Sequence, residues 1–170
     1  RISEKWYIAA EIGFEEFTSK EDFLNVTSKG NYARIGVNYN SYKNWLDMNN
    51  EIFGGFRYGF SIFNQTLHSF TPNNVNGEGN GIPYFSSNTI VSNTTSNLNI
   101  HWTEFLLGFK VETFKNLFFG ASFSYKIAIS IKEPENFKTL YAPGFNRIFD
   151  SGTGFGFNYT ISYLIPFSKK

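Results

Sequence analysis

Thr153-Gly154-Phe155-Gly156-Phe157-Asn158-Tyr159-Thr160-Ile161-Ser162-Tyr163-Leu164-Ile165-Pro166-Phe167 decides the fold. Phe155, Phe157, Tyr159, Ile161, Tyr163, Ile165 and Phe167 take every second position. Gly154, Gly156, Asn158, Thr160, Ser162 and Leu164 stand between them. A period of two sends the first set to one face of a β-strand and the second set to the other. No helix holds that register. Pro166 falls where the strand is ending and a missing N–H is tolerated.

The pattern runs backwards through the chain. Leu117, Phe119, Ala121, Phe123, Tyr125, Ile127, Ile129 and Ile131 alternate with a set that includes Gly120, Ser122, Ser124 and Lys126. Phe105, Leu107, Phe109 and Val111 oppose Glu104, Gly108, Lys110 and Glu112. Three earlier segments read alike: Trp6 to Glu15, Ala33 to Tyr39, and Ile52 to Ile62. Six strands result. Phe114-Lys115-Asn116 reads as a tight turn, with Asn116 in the left-handed position such loops need. The link over 41–50 is modest, whereas 16–30, 67–99 and 132–152 read as long polar loops. Short turns at one end and long loops at the other are the habit of membrane β-barrels.

Composition agrees. The chain has 170 residues, the length of one domain, and 20% of them are aromatic. No run of 18 apolar residues exists to form a membrane helix. A net charge of +1 with scattered basic residues gives no case for nucleic acid, and the absence of cysteine excludes disulfide scaffolds and thiolate metal sites.

The apolar face must point outward. An eight-stranded barrel has an interior just wide enough for side chains to fill it, and the large aromatic face exceeds that space. The opposite face is rich in Gly and Ser and carries Glu11, Glu15, Glu104 and Glu112 against Arg34, Arg57, Lys110 and Lys126. Four acids and four bases balance, as a closed interior demands, because an unpaired buried charge is strongly destabilising. The expected fold is therefore all-β: an antiparallel up-and-down transmembrane barrel over residues 1–170, with its interior plugged by ion pairs. Single-chain barrels have an even number of strands from eight upward, so the expectation is eight in the intact protein, with six in this chain and two N-terminal ones missing.

The segments KWYIAAEIG, NYARIGVNYN, FGGFRYGFS, HWTEFLLGFKVE, YAPGFN and GFGFNYTISYLIPF resemble, end to end, a family of uncharacterised bacterial outer-membrane β-barrel proteins catalogued as a domain of unknown function. The resemblance implies an eight-stranded barrel. It transfers no activity and no functional residues.

Candidate chemistry is thin. His68, His101, Asp150 and Ser151 fall near one rim, where a His–Asp–Ser set could perform acyl transfer, but no flanking motif marks a nucleophile. Two histidines without chelate spacing offer no metal site. Gly152-Thr153-Gly154-Phe155-Gly156 lacks the Lys-Ser or Lys-Thr of a phosphate loop and enters a strand. Tyr84 and Phe85, with Tyr141 and Phe145, place rigid aromatics in polar loops. They read equally as loop packing over the barrel mouth and as anchors for a partner.

The favoured expectation is a non-enzymatic outer-membrane protein of a Gram-negative cell, a structural element or accessory subunit of a larger envelope complex. Its partners would be outer-membrane lipid and other envelope proteins; no cofactor is called for. The alternatives are an outer-membrane lipid acyltransferase or hydrolase with a rim active site, and a soluble ligand-binding barrel.

Overall fold

A computed structural model describes residues 5–21, 24–42, 49–70, 89–135 and 137–165. It is all-β. The strands are β1 (Trp6–Glu21), β2 (Leu24–Asn40), β3 (Glu51–Phe70), β4 (Thr89–Phe114), β5 (Leu117–Ile131), β6 (Tyr141–Ala142), β7 (Asn146–Arg147) and β8 (Thr153–Tyr163). Six of them make one antiparallel sheet in the order β1-β2-β3-β4-β5-β8, curled into a half-barrel whose edges are β1 and β8. The two-residue strands β6 and β7 pair only with each other, as a small hairpin between β5 and β8.

Each expected alternation becomes a pair of faces. Ile12 and Tyr159 are 87% exposed on the convex side, whereas Glu104 and Lys126 are 0% and 1% exposed on the concave side. Between β4 and β5, Phe114 pairs with Leu117, and Asn116 takes a φ of 66°. The turn lies where the sequence reading put it and Asn116 is left-handed, but Phe114 belongs to β4, so the turn is the two residues Lys115 and Asn116, and a register shift between Glu112 and Phe114 takes up the difference.

Two of the three expected long loops are strand for much of their length. β1 and β2 run on to Glu21 and Leu24, with Thr18 opposite Thr27, and β3 and β4 run on to Phe70 and Thr89. What changes along these extensions is polarity. On β1 the outward positions pass from Ile12 and Phe14 to Glu16, Thr18 and Lys20. On β3 they pass from Phe60 and Ile62 to Asn64, Thr66 and His68, while the inward positions pass from Ser61 to the buried Phe63 and Leu67. The sheet thus has two tiers. One is apolar outside; the other is polar outside.

The expectation of a small, charged interior therefore holds in one tier only. In the second tier Phe63, Leu98, Ile100 and Trp102 from β3 and β4 pack against Ala142, Phe145 and Ile148 from the third long connection. That connection does not stay outside as a loop; its hairpin enters the concave side of the sheet. The side chains explain why. Strand faces lined by Phe63, Leu98 and Ile100 need apolar cover, and a polar loop over the rim would leave them wet.

Candidate functional site

The concave face holds the chemistry. Arg34 on β2 donates from Nη2 to Glu11 on β1 and from Nη1 to both oxygens of Glu104 on β4, each at 3.2 Å. Arg57 on β3 lies 3.5 Å from the second oxygen of Glu11, and the Tyr32 hydroxyl donates to the first at 2.9 Å. Four strands thus contribute one residue each to a chain of alternating charge. With Arg34 6% exposed and Glu104 fully buried, this pair is out of water, and removing either partner would strand the other.

Above this cluster sits the hairpin. Tyr141 donates its hydroxyl to Glu15 on β1, and the Gly144 N–H donates to the other oxygen of Glu15 at 2.8 Å. From the far side Lys126 on β5 donates to the carbonyls of Gly144 at 2.8 Å and Phe145 at 3.2 Å. Burial, and then the bond to Glu15, holds the Tyr141 hydroxyl well above the ordinary phenol range, so it remains a donor. Phe17 stacks on the Tyr141 ring at 4.1 Å, and Phe145 meets Trp102 edge-on at 5.7 Å. Gly154 on β8 permits that seating, because a Cβ there would come within 2.6 Å of the Phe145 ring.

Six of the eight expected interior charges are accounted for by these contacts: Glu11, Glu15, Arg34, Arg57, Glu104 and Lys126. Lys110 and Glu112 are not part of the same network. The Lys110 ammonium lies over the Phe118 ring at 4.4 Å. Glu112, at the tight-turn end, accepts from the Asn116 N–H and from the backbone and side chain of Asn49. Strand parity placed them on the right face but could not tell how far along the barrel they fall.

The aromatic candidates need correcting in part. Phe145 is fully buried and Tyr141 is half-buried against Glu15, so both are spent inside the protein and neither is an exposed anchor for a partner. Tyr84 and Phe85 lie outside the described residues. What sequence reasoning missed was the role of Trp102, Phe63 and Ile100 as the seat of the hairpin. Trp102 shares the parity of Glu104, which was a usable signal.

The histidines are engaged elsewhere. His68 Nε2 lies 2.9 Å from the Thr27 hydroxyl, and His101 Nδ1 lies 2.6 Å from the Tyr58 hydroxyl. Ser151 bonds Thr153, and Asp150 faces Lys138 at 3.8 Å. Each of the four makes its contact with a residue outside the set. Among the described residues no group of three or more His, Asp or Glu side chains could hold a metal.

A cavity of about 900 Å³ remains on the concave side toward the tight-turn end, lined by Tyr7, Asn38, Phe53, Arg57, Lys110 and Ser122 among others. The hairpin closes one end of the concave space, and this cavity occupies the other.

A family model described as Domain of unknown function (DUF6048) matches residues 1–170. The chain belongs to this family. No curated protein and no solved structure matches it significantly. Membership in the DUF6048 family carries the expected kinship with an uncharacterised family; its description assigns neither a compartment nor an activity.

Proposed function

We propose that this DUF6048 protein is an integral outer-membrane β-barrel with a plugged, charge-balanced interior, acting as a structural element or as an accessory subunit of a larger envelope assembly. One observation carries the reading: the inverted polarity of the first tier. Large apolar side chains such as Ile8, Ile12, Leu107, Phe157 and Ile161 are exposed, while Arg34, Glu104 and Lys126 are buried. In water this arrangement loses on both faces. In a bilayer it is favourable on both, because apolar groups meet lipid and charges meet one another.

Dimensions agree. From Ile52 to Ile62 the apolar outward run covers ten steps, about 33 Å of strand or about 25 Å along the membrane normal at a tilt of about 40°. That is the usual height of a barrel's apolar band. Trp6 and Tyr39, 5.1 Å apart between ring centroids, suit one of the aromatic girdles at its borders. Backbone groups facing lipid must be paired, so in this setting the outer edges of β1 and β8, the two ends of the sheet among the described residues, require partner strands that close the barrel.

The test is extraction and heat-modifiability. A membrane barrel requires detergent for extraction and migrates differently on a gel before and after boiling. A monomer that stays in solution without detergent would exclude the reading and favour a soluble barrel.

A further inference from the structure

The polarity switch leaves an outward face that neither the charge cluster nor the hairpin uses. It continues the apolar face of β1 to β4 without a break. The last row that carries large apolar residues is Phe14, Asn31, Ile62 and Asn99 in register, already half amide. One row on, Glu16 faces Lys29, whose ammonium lies 2.8 Å from the Glu16 carboxylate and 5.6 Å from the centre of the Phe14 ring. The Lys29 ammonium thus lies between the last aromatic ring and the first carboxylate of the polar tier and marks the border between the two.

The next row is a rung of four threonines in register: Thr18, Thr27, Thr66 and Thr94. Thr18 and Thr27 share a hydroxyl hydrogen bond of 2.9 Å, as do Thr66 and Thr94, and His68 meets Thr27 at 2.9 Å. Each shared hydroxyl keeps acceptor capacity for a further group. The row lies four residues beyond Phe14, about 13 Å along the strand or about 10 Å along the normal at a tilt of about 40°. The headgroup zone of an ordinary phospholipid leaflet is only about 5–8 Å deep.

We propose that this face, with the threonine rung at its centre, contacts the sugar headgroups of a glycolipid leaflet. The inference rests on the membrane reading above. Three features select sugars over phosphates. The face is rich in hydroxyls and carries the carboxamide of Asn64. Its Lys29 charge is already paired with Glu16, which leaves Lys20, two residues past Thr18, as one cation on the described outward face of β1 and β2, where a phosphate surface calls for several. Its height exceeds what a small phosphodiester headgroup reaches, whereas a sugar headgroup extends farther. A flat β-face with evenly spaced hydroxyls offers hydrogen bonds in both directions to a polyhydroxylated surface.

The chain has no cysteine, so a single introduced thiol reports its own surroundings. The experiment places Thr66→Cys and, separately, Phe123→Cys protein in phosphatidylcholine vesicles. The vesicles are supplemented with digalactosyldiacylglycerol, with phosphatidylglycerol, or with neither, and a water-soluble thiol reagent is added. Thr66→Cys is expected to react severalfold more slowly in the galactolipid vesicles than in the other two, with little dependence on salt. Thr27→Val combined with Asn64→Cys is expected to lose the galactolipid protection that Asn64→Cys alone shows. Equal reactivity in all three vesicles overturns the proposal, and so does salt-sensitive protection by phosphatidylglycerol, which would mean a phosphate surface. Phe123→Cys separates this failure from that of the membrane reading: it stays protected in every vesicle if the barrel is inserted and reacts freely if it is not.

Discussion

Glu15 and Lys126 grip the two sides of a single residue: the carboxylate accepts the Gly144 N–H, and the ammonium donates to the Gly144 carbonyl, each at 2.8 Å. The first belongs to β1 and the second to β5, so the hairpin is a strut across the concave side of the sheet. Lys126→Met should strand two carbonyls and leave Glu104 with one cation fewer, costing about 2–5 kcal/mol. Glu15→Gln keeps an acceptor for the N–H and should cost about 1 kcal/mol or less. Denaturant unfolding in detergent measures both, and amide exchange at Gly144 should quicken in Lys126→Met. Equal losses in the two variants would show that the charge of Glu15, and not only its acceptor oxygen, holds the strut.

The seat of the hairpin can be tested from the opposite side. A Cβ on Gly154 would lie 2.6 Å from the Phe145 ring and 2.9 Å from the Arg147 carbonyl. Gly154→Ala should therefore destabilise by about 1–3 kcal/mol, as overpacking does. Adding Phe145→Leu should restore part of that loss, although Phe145→Leu alone is destabilising. A double mutant that is merely the sum of the two would place the clash elsewhere.

How much of this was legible beforehand follows from what parity can and cannot carry. Phe123 and Ser124 were separable by eye, because alternation assigns faces wherever the two faces differ in chemistry. Asn116 was legible as a left-handed turn residue. Thr18 and Thr27 were not legible as strand, because beyond Phe14 the outward face turns polar and the signal resembles a loop. Phe145 was read on a loop because its partners Trp102 and Gly154 come from β4 and β8, and no local pattern links residues so far apart. The ion pair of Arg34 and Glu104 was foreshadowed by charge balance, but Lys110 and Glu112 needed depth along the barrel, which parity omits.

The buried pair makes a sharper claim about electrostatics. Glu104 accepts two contacts from Arg34 and is wholly buried. Glu104→Ala should cost about 3–5 kcal/mol, because Arg34 then remains buried with only Glu11 as a partner. Replacing both, Arg34→Met with Glu104→Met, should cost less than Glu104→Ala alone, since Glu11 keeps Arg57 and Lys126 keeps the carbonyls of Gly144 and Phe145. A double-mutant cycle on unfolding midpoints in detergent decides this. A double variant worse than both singles would mean the pair is needed to specify the fold.

Phe123 and Ser124 test the face assignment on which the other readings stand. Phe123 is 37% exposed on the convex face beside Phe155 and Phe157, and Ser124 is fully buried on the concave face opposite Gly156. Arg at 123 should cost about 2–4 kcal/mol if the site lies near the bilayer midplane. The cost should fall steeply at Leu117, at the end of the strand, where a long side chain reaches the interface. Arg at 124 tests only whether a long cation fits beside Lys126, so cysteines give the cleaner comparison. A lipid-phase probe should label Phe123→Cys readily and Ser124→Cys hardly at all. Labelling confined to Ser124→Cys would mean that the concave face meets the lipid, and the convex apolar belt would then need a protein partner to cover it.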